Sequence, residues 1–271
     1  MRKYLYLTCF CGLLEIAIVL GLTFWREHFW SNVVAKDIHG SLVYLGIFSV
    51  VTLVLCFVAT VGTYAGTRAS IRWREILNMK ALGLKTSKIE NMRQRVQEDC
   101  FQYPKLVIEL GGGLLKALIY VIVFATAIVY GFKLSWLLYM AAYSIGATII
   151  ARYIGHPLVQ LNYRIQQAEA TYRSKLSKNN FITCIITQIA IAKKVKHLQY
   201  FQNFYGQLSI IIPLIIIAPD YFYNHITFGQ LMQANSTMST LDENLSYGIY
   251  TFNDTNKLLS CRRRLIEAKI I

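Results

Sequence analysis

Long apolar runs alternate along this chain with short polar turns on one side and long basic segments on the other. The first two runs are Tyr4 to Trp25 and Ser41 to Tyr64, and Leu106 to Tyr130, Leu134 to Ala151 and Gln207 to Ala218 follow. The longer ones suffice to cross a hydrocarbon core of roughly 30 Å at about 1.5 Å per residue. No helix breaker separates the second run from the basic stretch Arg68 to Leu77, so one helix is expected to leave the bilayer there. Phe181 to Ala192 is too short to span and reads as part of a helix that returns through Lys193, Lys194 and Lys196. The pattern predicts long helices at about 4–25, 41–82, 88–130, 134–178, 181–219 and 228–260, forming a single transmembrane domain over 1–271. The sixth is the least apolar, dense in Gln, Asn, Ser and Thr. It is expected to line a cavity and never face lipid, and the alternative is a surface helix.

Charge changes the picture by giving the pattern a direction. Of the 28 Lys and Arg residues, 24 lie in 1–3, 68–105, 152–200 and 257–269, while the opposite turns hold Arg26, Lys36 and Lys133. The positive-inside rule then puts both termini and both long basic segments in the cytoplasm of a multi-pass protein. With 55% hydrophobic residues, 15% charged residues and a mean hydropathy of +0.40, the chain has the composition of an integral membrane protein. The net charge of +14 does not point to nucleic acid, because the basic residues sit between apolar runs and not on one soluble face. Met1-Arg2-Lys3 opens like a signal peptide, but the run behind it is long, carries Glu15 and has no small-residue cleavage site.

Candidate chemistry is restricted by the presence of only 14 acidic residues. Glu109 and Lys116 interrupt the third apolar run, and charges at that depth usually face a protein interior or a water-filled path. Glu109 is therefore the first proton-coupling candidate, with pairing to Lys105 or Lys116 as its structural alternative. Lys116, Asp242, Glu243 and Asn244 are cavity-lining candidates, whereas Glu15 sits on a first helix expected to be peripheral. Gly111-Gly112-Gly113 lies inside an apolar run and suggests close helix packing. Six cysteines without a C-x-x-C pair and five scattered histidines suggest no metal site, and no catalytic residue or cofactor is expected.

Several motifs taken together carry a resemblance. They are Arg72-Trp73-Arg74, Arg93 to Asp99, Pro157 to Asn162 with Glu169 and Arg173, Tyr205-Gly206-Gln207 through Ala218-Pro219-Asp220-Tyr221-Phe222, and Phe228 to Gln233. As a set they resemble the SbmA/BacA peptide-transporter family and its relatives with the membrane domain of exporter-type ABC transporters. The resemblance implies an all-α membrane protein of six transmembrane helices in the exporter-type arrangement, working as a homodimer. It implies proton-driven import of peptides, antimicrobial peptides included, across a bacterial inner membrane, and it adds Glu98 and Glu169 as further proton-coupling candidates. The expected partners are the lipid bilayer, a second copy and a peptide. No G-x-x-x-x-G-K-[ST] loop occurs, so ATP hydrolysis by this chain is not expected and it is read as no enzyme. The chain is short at the N-terminus against that family and lacks the usual Gly-Glu element of the second cytoplasmic excursion. The alternatives are a permease half with a separate ATPase subunit and a truncated, inactive remnant.

Overall fold

The computed structural model describes residues 1–83, 95–174, 178–267 and 270–271, without the side chains at 95–96, 155–174, 178–180, 184 and 194. Within these residues the chain is all helix: α1 (Arg2–Val34), α2 (Ile38–Leu82), a π-helical turn (Arg95–Asp99) running into α3 (Cys100–Gly131), α4 (Leu134–Ser174), α5 (Lys178–Phe222), α6 (Phe228–Leu245), the single turn α7 (Tyr247–Tyr250) and α8 (Phe252–Glu267). Five of them are long and apolar enough to cross a membrane, namely α1, α2, α3 with the end of the π turn, the first half of α4, and α5. Their outward faces carry exposed Leu42, Ile47, Val50, Leu53 and Phe57 on α2, and Ile145, Ile149, Ile210 and Ile215 on α4 and α5. The protein is an all-α membrane protein.

Local chemistry sets the boundaries. Asp37 caps α2 by accepting from the Gly40 amide at 3.0 Å, after a tight turn in which Lys36 takes a positive φ of 60°. Thr227 and Gln230 form a reciprocal capping box that starts α6 after the 223–227 turn. Pro104 lacks the amide that would bond the Cys100 carbonyl and its ring crowds that carbonyl, where the wider π turn passes into α3.

The polar helix α6 lies at the centre of the bundle, packed against α1, α3, α4 and α5. One core cluster joins Ile16 of α1, Tyr120, Phe124 and Ile128 of α3, Trp136 and Met140 of α4, and Ile217 of α5 to Leu231, Ala234, Met238 and Leu241 of α6. Gly229 permits the close approach of α6 to α1: a Cβ there would collide with the Glu27 carbonyl and the Ser31 hydroxyl. The helix expected over 228–260 is thus interrupted at Ser246 and Thr251. The α4–α5 pair touches the rest mainly through α6, with smaller contacts to α3, α7 and α8. The α1 helix, expected to be peripheral, packs on α2, α6 and α3.

Candidate functional site

Two polar sites stand out, one between α1, α2 and α3 and one where α6 meets α4 and α5. The first is a part-open cavity of about 370 Å³ between α1, α2 and α3. Its walls include Gly12, Gly62 and Gly66, whose missing side chains leave the space, and its polar groups include Glu15, Lys105, Glu109 and Lys116. Lys116 Nζ lies 2.6 Å from Glu15 Oε1, a pair that is about one third and one fifth exposed. Lys105 Nζ lies 3.9 Å from Glu109 Oε1, and that pair is more than half exposed. Of the two partners the sequence left open for Glu109, the structure therefore places Lys105 beside it and gives Lys116 to Glu15. The cavity holds two cations and two carboxylates, so its charge is balanced.

The second site is built around Asp242, which is 1% exposed. Oδ1 accepts from the hydroxyls of Ser144 on α4 and Tyr205 on α5 (the latter at 2.5 Å), and from Ser246 at 3.4 Å. Oδ2 accepts from Ser209 on α5 at 2.6 Å. Tyr205 also meets the Ser246 hydroxyl, and its ring stacks on Tyr143 with centroids 5.1 Å apart. The Ser246 hydroxyl is turned to this cluster where the chain leaves α6, which places the helix break at the site. Asp242, expected to line a cavity, is instead enclosed by hydroxyls. Among the described side chains, no Lys, Arg or His lies within ion-pair distance of it.

Tyr247, next to Ser246, connects the two sites. Its hydroxyl donates to the Leu110 carbonyl of α3 at 3.2 Å and lies where a Cβ on Gly113 would stand. Gly112 and Gly113 line the cavity on the same stretch of α3. Within the Gly111-Gly112-Gly113 run, Gly113 serves close packing against the Tyr247 ring, whereas a Cβ on Gly111 or Gly112 would meet no described atom within 4 Å.

The other expected residues are dispersed. Glu98 is exposed in the π turn, and Glu169 lies on α4 with its side chain outside the described residues. Glu243 is exposed, and Asn244 donates to the Thr240 carbonyl of its own helix at 2.7 Å. Neither Glu98 nor Glu243 joins Glu109 in the cavity lining. At the end of the bundle that carries the termini, Arg264 of α8 grips the buried Asp99 through Nε at 2.9 Å and Nη2 at 2.5 Å. The hydrogen bonds to Asp99 raise the Arg264 guanidinium above its ordinary value, and burial pushes the neighbouring Cys261 thiol up to about 11. At the opposite end Asp220 joins Lys133 and His225, at 2.5 and 3.1 Å.

Sequence reasoning passed over Ser144, Ser209 and Ser246 as partners of Asp242 and met Tyr205 only within a motif. A carboxylate in a helix rich in small polar residues was the one available signal.

The profile of the SbmA/BacA-like family matches residues 31–270. Among curated proteins, an uncharacterized ABC transporter ATP-binding protein of Haemophilus influenzae is 25% identical over 82% of this chain and 45% of its own length. The inner membrane ABC transporter ATP-binding protein YddA of Escherichia coli is 22% identical over 93% of this chain and 55% of its own length. The chloroplastic ABC transporter D family member 2 of Arabidopsis thaliana is 25% identical over 67% of this chain and 29% of its own length. The chain spans about half or less of the length of these relatives.

Proposed function

This chain belongs to the SbmA/BacA-like family, and on that premise we propose that it is a proton-driven peptide importer of a bacterial inner membrane, assembled as a homodimer. The observation that carries the reading is the family match across 31–270 together with a charge-balanced, part-open cavity whose α2 and α3 walls lie within the matched residues. A cavity of that volume is in the range of sites for small ligands, here room for a peptide segment, and its Glu and Lys pairs suit the dipoles and termini of a peptide. In this reading α6, α7 and the first part of α8, to about Ser260, make the sixth crossing, both termini face the cytoplasm, and a second copy completes the path.

Glu109 is the carboxylate that exchanges protons with water in the cavity. Its partner Lys105 is distant and half exposed, so the pair opens at small cost. Glu98 and Glu169 serve on the cytoplasmic side. The test is peptide uptake into liposomes under an imposed pH gradient, with no nucleotide present. The wild type should accumulate peptide, and Glu109→Gln should lose accumulation while keeping expression and assembly. Unchanged accumulation by Glu109→Gln would reject its role.

A second reading has its own support, since the relatives from Haemophilus influenzae and Escherichia coli are ABC transporter ATP-binding proteins. In that case this chain is a permease that works with an ATPase chain. Uptake that appears only with ATP and such a chain, and never with a pH gradient, selects it.

A further inference from the structure

We infer that Asp242 is a buried proton-binding site whose protonation controls the contact between α6 and the α4–α5 pair; this rests on the proton-driven reading above. The carboxylate is buried and receives hydroxyls from α4, α5 and the end of α6. A hydroxyl shell suits both protonation states, since each hydroxyl can donate to an anion or accept from a carboxylic acid. The shell also has somewhere to turn. Ser144 has the Met140 carbonyl as a second acceptor at 3.0 Å, and Tyr205 has the Ser246 hydroxyl. The proton can therefore arrive with rotation of hydroxyl groups and little movement of heavy atoms.

Among the described side chains, the titratable groups facing Asp242 are Tyr143 of α4, Tyr205 of α5, Tyr250 of α7 and the adjacent Glu243 of α6, and none of these is a cation. A metal cation is a poorer occupant than a proton. It would have to stand between the carboxylate and hydroxyl oxygens, which already lie 2.5 and 2.6 Å from Asp242 at Tyr205 and Ser209.

Coupling follows from position. The α4–α5 pair holds to the rest of the bundle mainly through α6, and Asp242 bonds to both members of the pair. Bonds to an ionised carboxylate are roughly twice as strong as neutral ones, so the anion clamps the pair and the acid loosens it. Two arrangements that differ in this contact are then biased by the proton.

The test compares wild type and Asp242→Asn in liposomes. With an imposed pH gradient, Asp242→Asn should lose peptide accumulation about tenfold or more, yet exchange peptide across the membrane at equal pH much as the wild type does. Wild-type accumulation by Asp242→Asn overturns the assignment and leaves the proton-driven reading standing. A monodisperse Asp242→Asn that loses exchange as well also overturns it, because the residue would then serve binding or movement and not coupling. Absence of gradient-driven accumulation in the wild type overturns both. A second arm uses only the wild type, treated with dicyclohexylcarbodiimide, an apolar reagent for protonated carboxyl groups. Peptide mass spectrometry should find the adduct on Asp242, more at acid than at alkaline pH, as accumulation is lost. Loss of accumulation with no adduct on Asp242 overturns the assignment.

Discussion

The two polar sites contain the same kind of acidic group in opposite surroundings. In the α1–α2–α3 cavity, Glu15 and Glu109 are compensated by Lys116 and Lys105 and remain in part accessible. Between α4, α5 and α6, Asp242 is enclosed and held by hydroxyls alone among the described side chains. The close, partly buried Glu15–Lys116 pair fixes its charges in place, since separating it leaves two ions poorly solvated, while the longer and wetter Glu109–Lys105 pair opens at small cost. A hydroxyl shell supports a charge without fixing it, because the same atoms serve the neutral acid. The contrast separates a part-open region that meets water and ligand from an enclosed one that holds three helices together.

Removing each carboxylate's support should separate the two regions by stability. The largest effect is expected for Asp242→Ala, which strands the hydroxyls of Ser144, Tyr205, Ser209 and Ser246 around a void. The loss should be about 2 to 3 kcal/mol, seen as a clear fall in apparent melting temperature in detergent. An unchanged transition would mean the shell contributes no stability and the comparison fails.

Lys116→Ala should cost less, about 1 kcal/mol after allowance for the third of the side chain that is exposed, because it leaves Glu15 partly buried and uncompensated. The Glu15→Gln, Lys116→Ala double variant should recover part of that loss in the same assay. Lys105→Ala, at the longer and wetter pair, should change stability by less than about 0.5 kcal/mol. Equal effects for Lys105 and Lys116 would erase the distinction between the two cavity pairs.

Gly113→Ala probes the link between the regions, since the added methyl displaces the Tyr247 ring from the Leu110 carbonyl. Overpacking there should cost about 1 kcal/mol and alter the access of a thiol reagent to a cysteine placed at position 112. Unaltered access would show that Tyr247 does not shape the cavity.

The apolar runs and the asymmetry of basic residues made the helices, their order and the membrane class legible in the sequence, since length and composition act locally. Lys116 was legible as a charge facing other helices for the same reason, whereas Glu109, expected inside, lines the same cavity with its side chain more than half exposed. Their partners were harder to read. Lys116 lies seven residues from Glu109, which placed them on one face, but its nearer anion is Glu15 on another helix. The shell of Asp242 was illegible because Ser144, Tyr205 and Ser209 come from two other helices, and an isolated serine in an apolar run carries no periodic signal. Nine residues of the polar helix α6, from Gly229 to Asp242, are buried within one chain, and the second copy is proposed on family grounds.

Proton movement with the substrate is the central claim, and it is measured most directly by a pH-sensitive dye trapped inside liposomes that contain the wild-type protein, with equal pH on both sides and no nucleotide. Adding peptide outside should acidify the interior as peptide enters with protons, and the signal should vanish in Asp242→Asn. Peptide entry with no change in internal pH, or entry only when ATP and an ATPase chain are supplied, would contradict it.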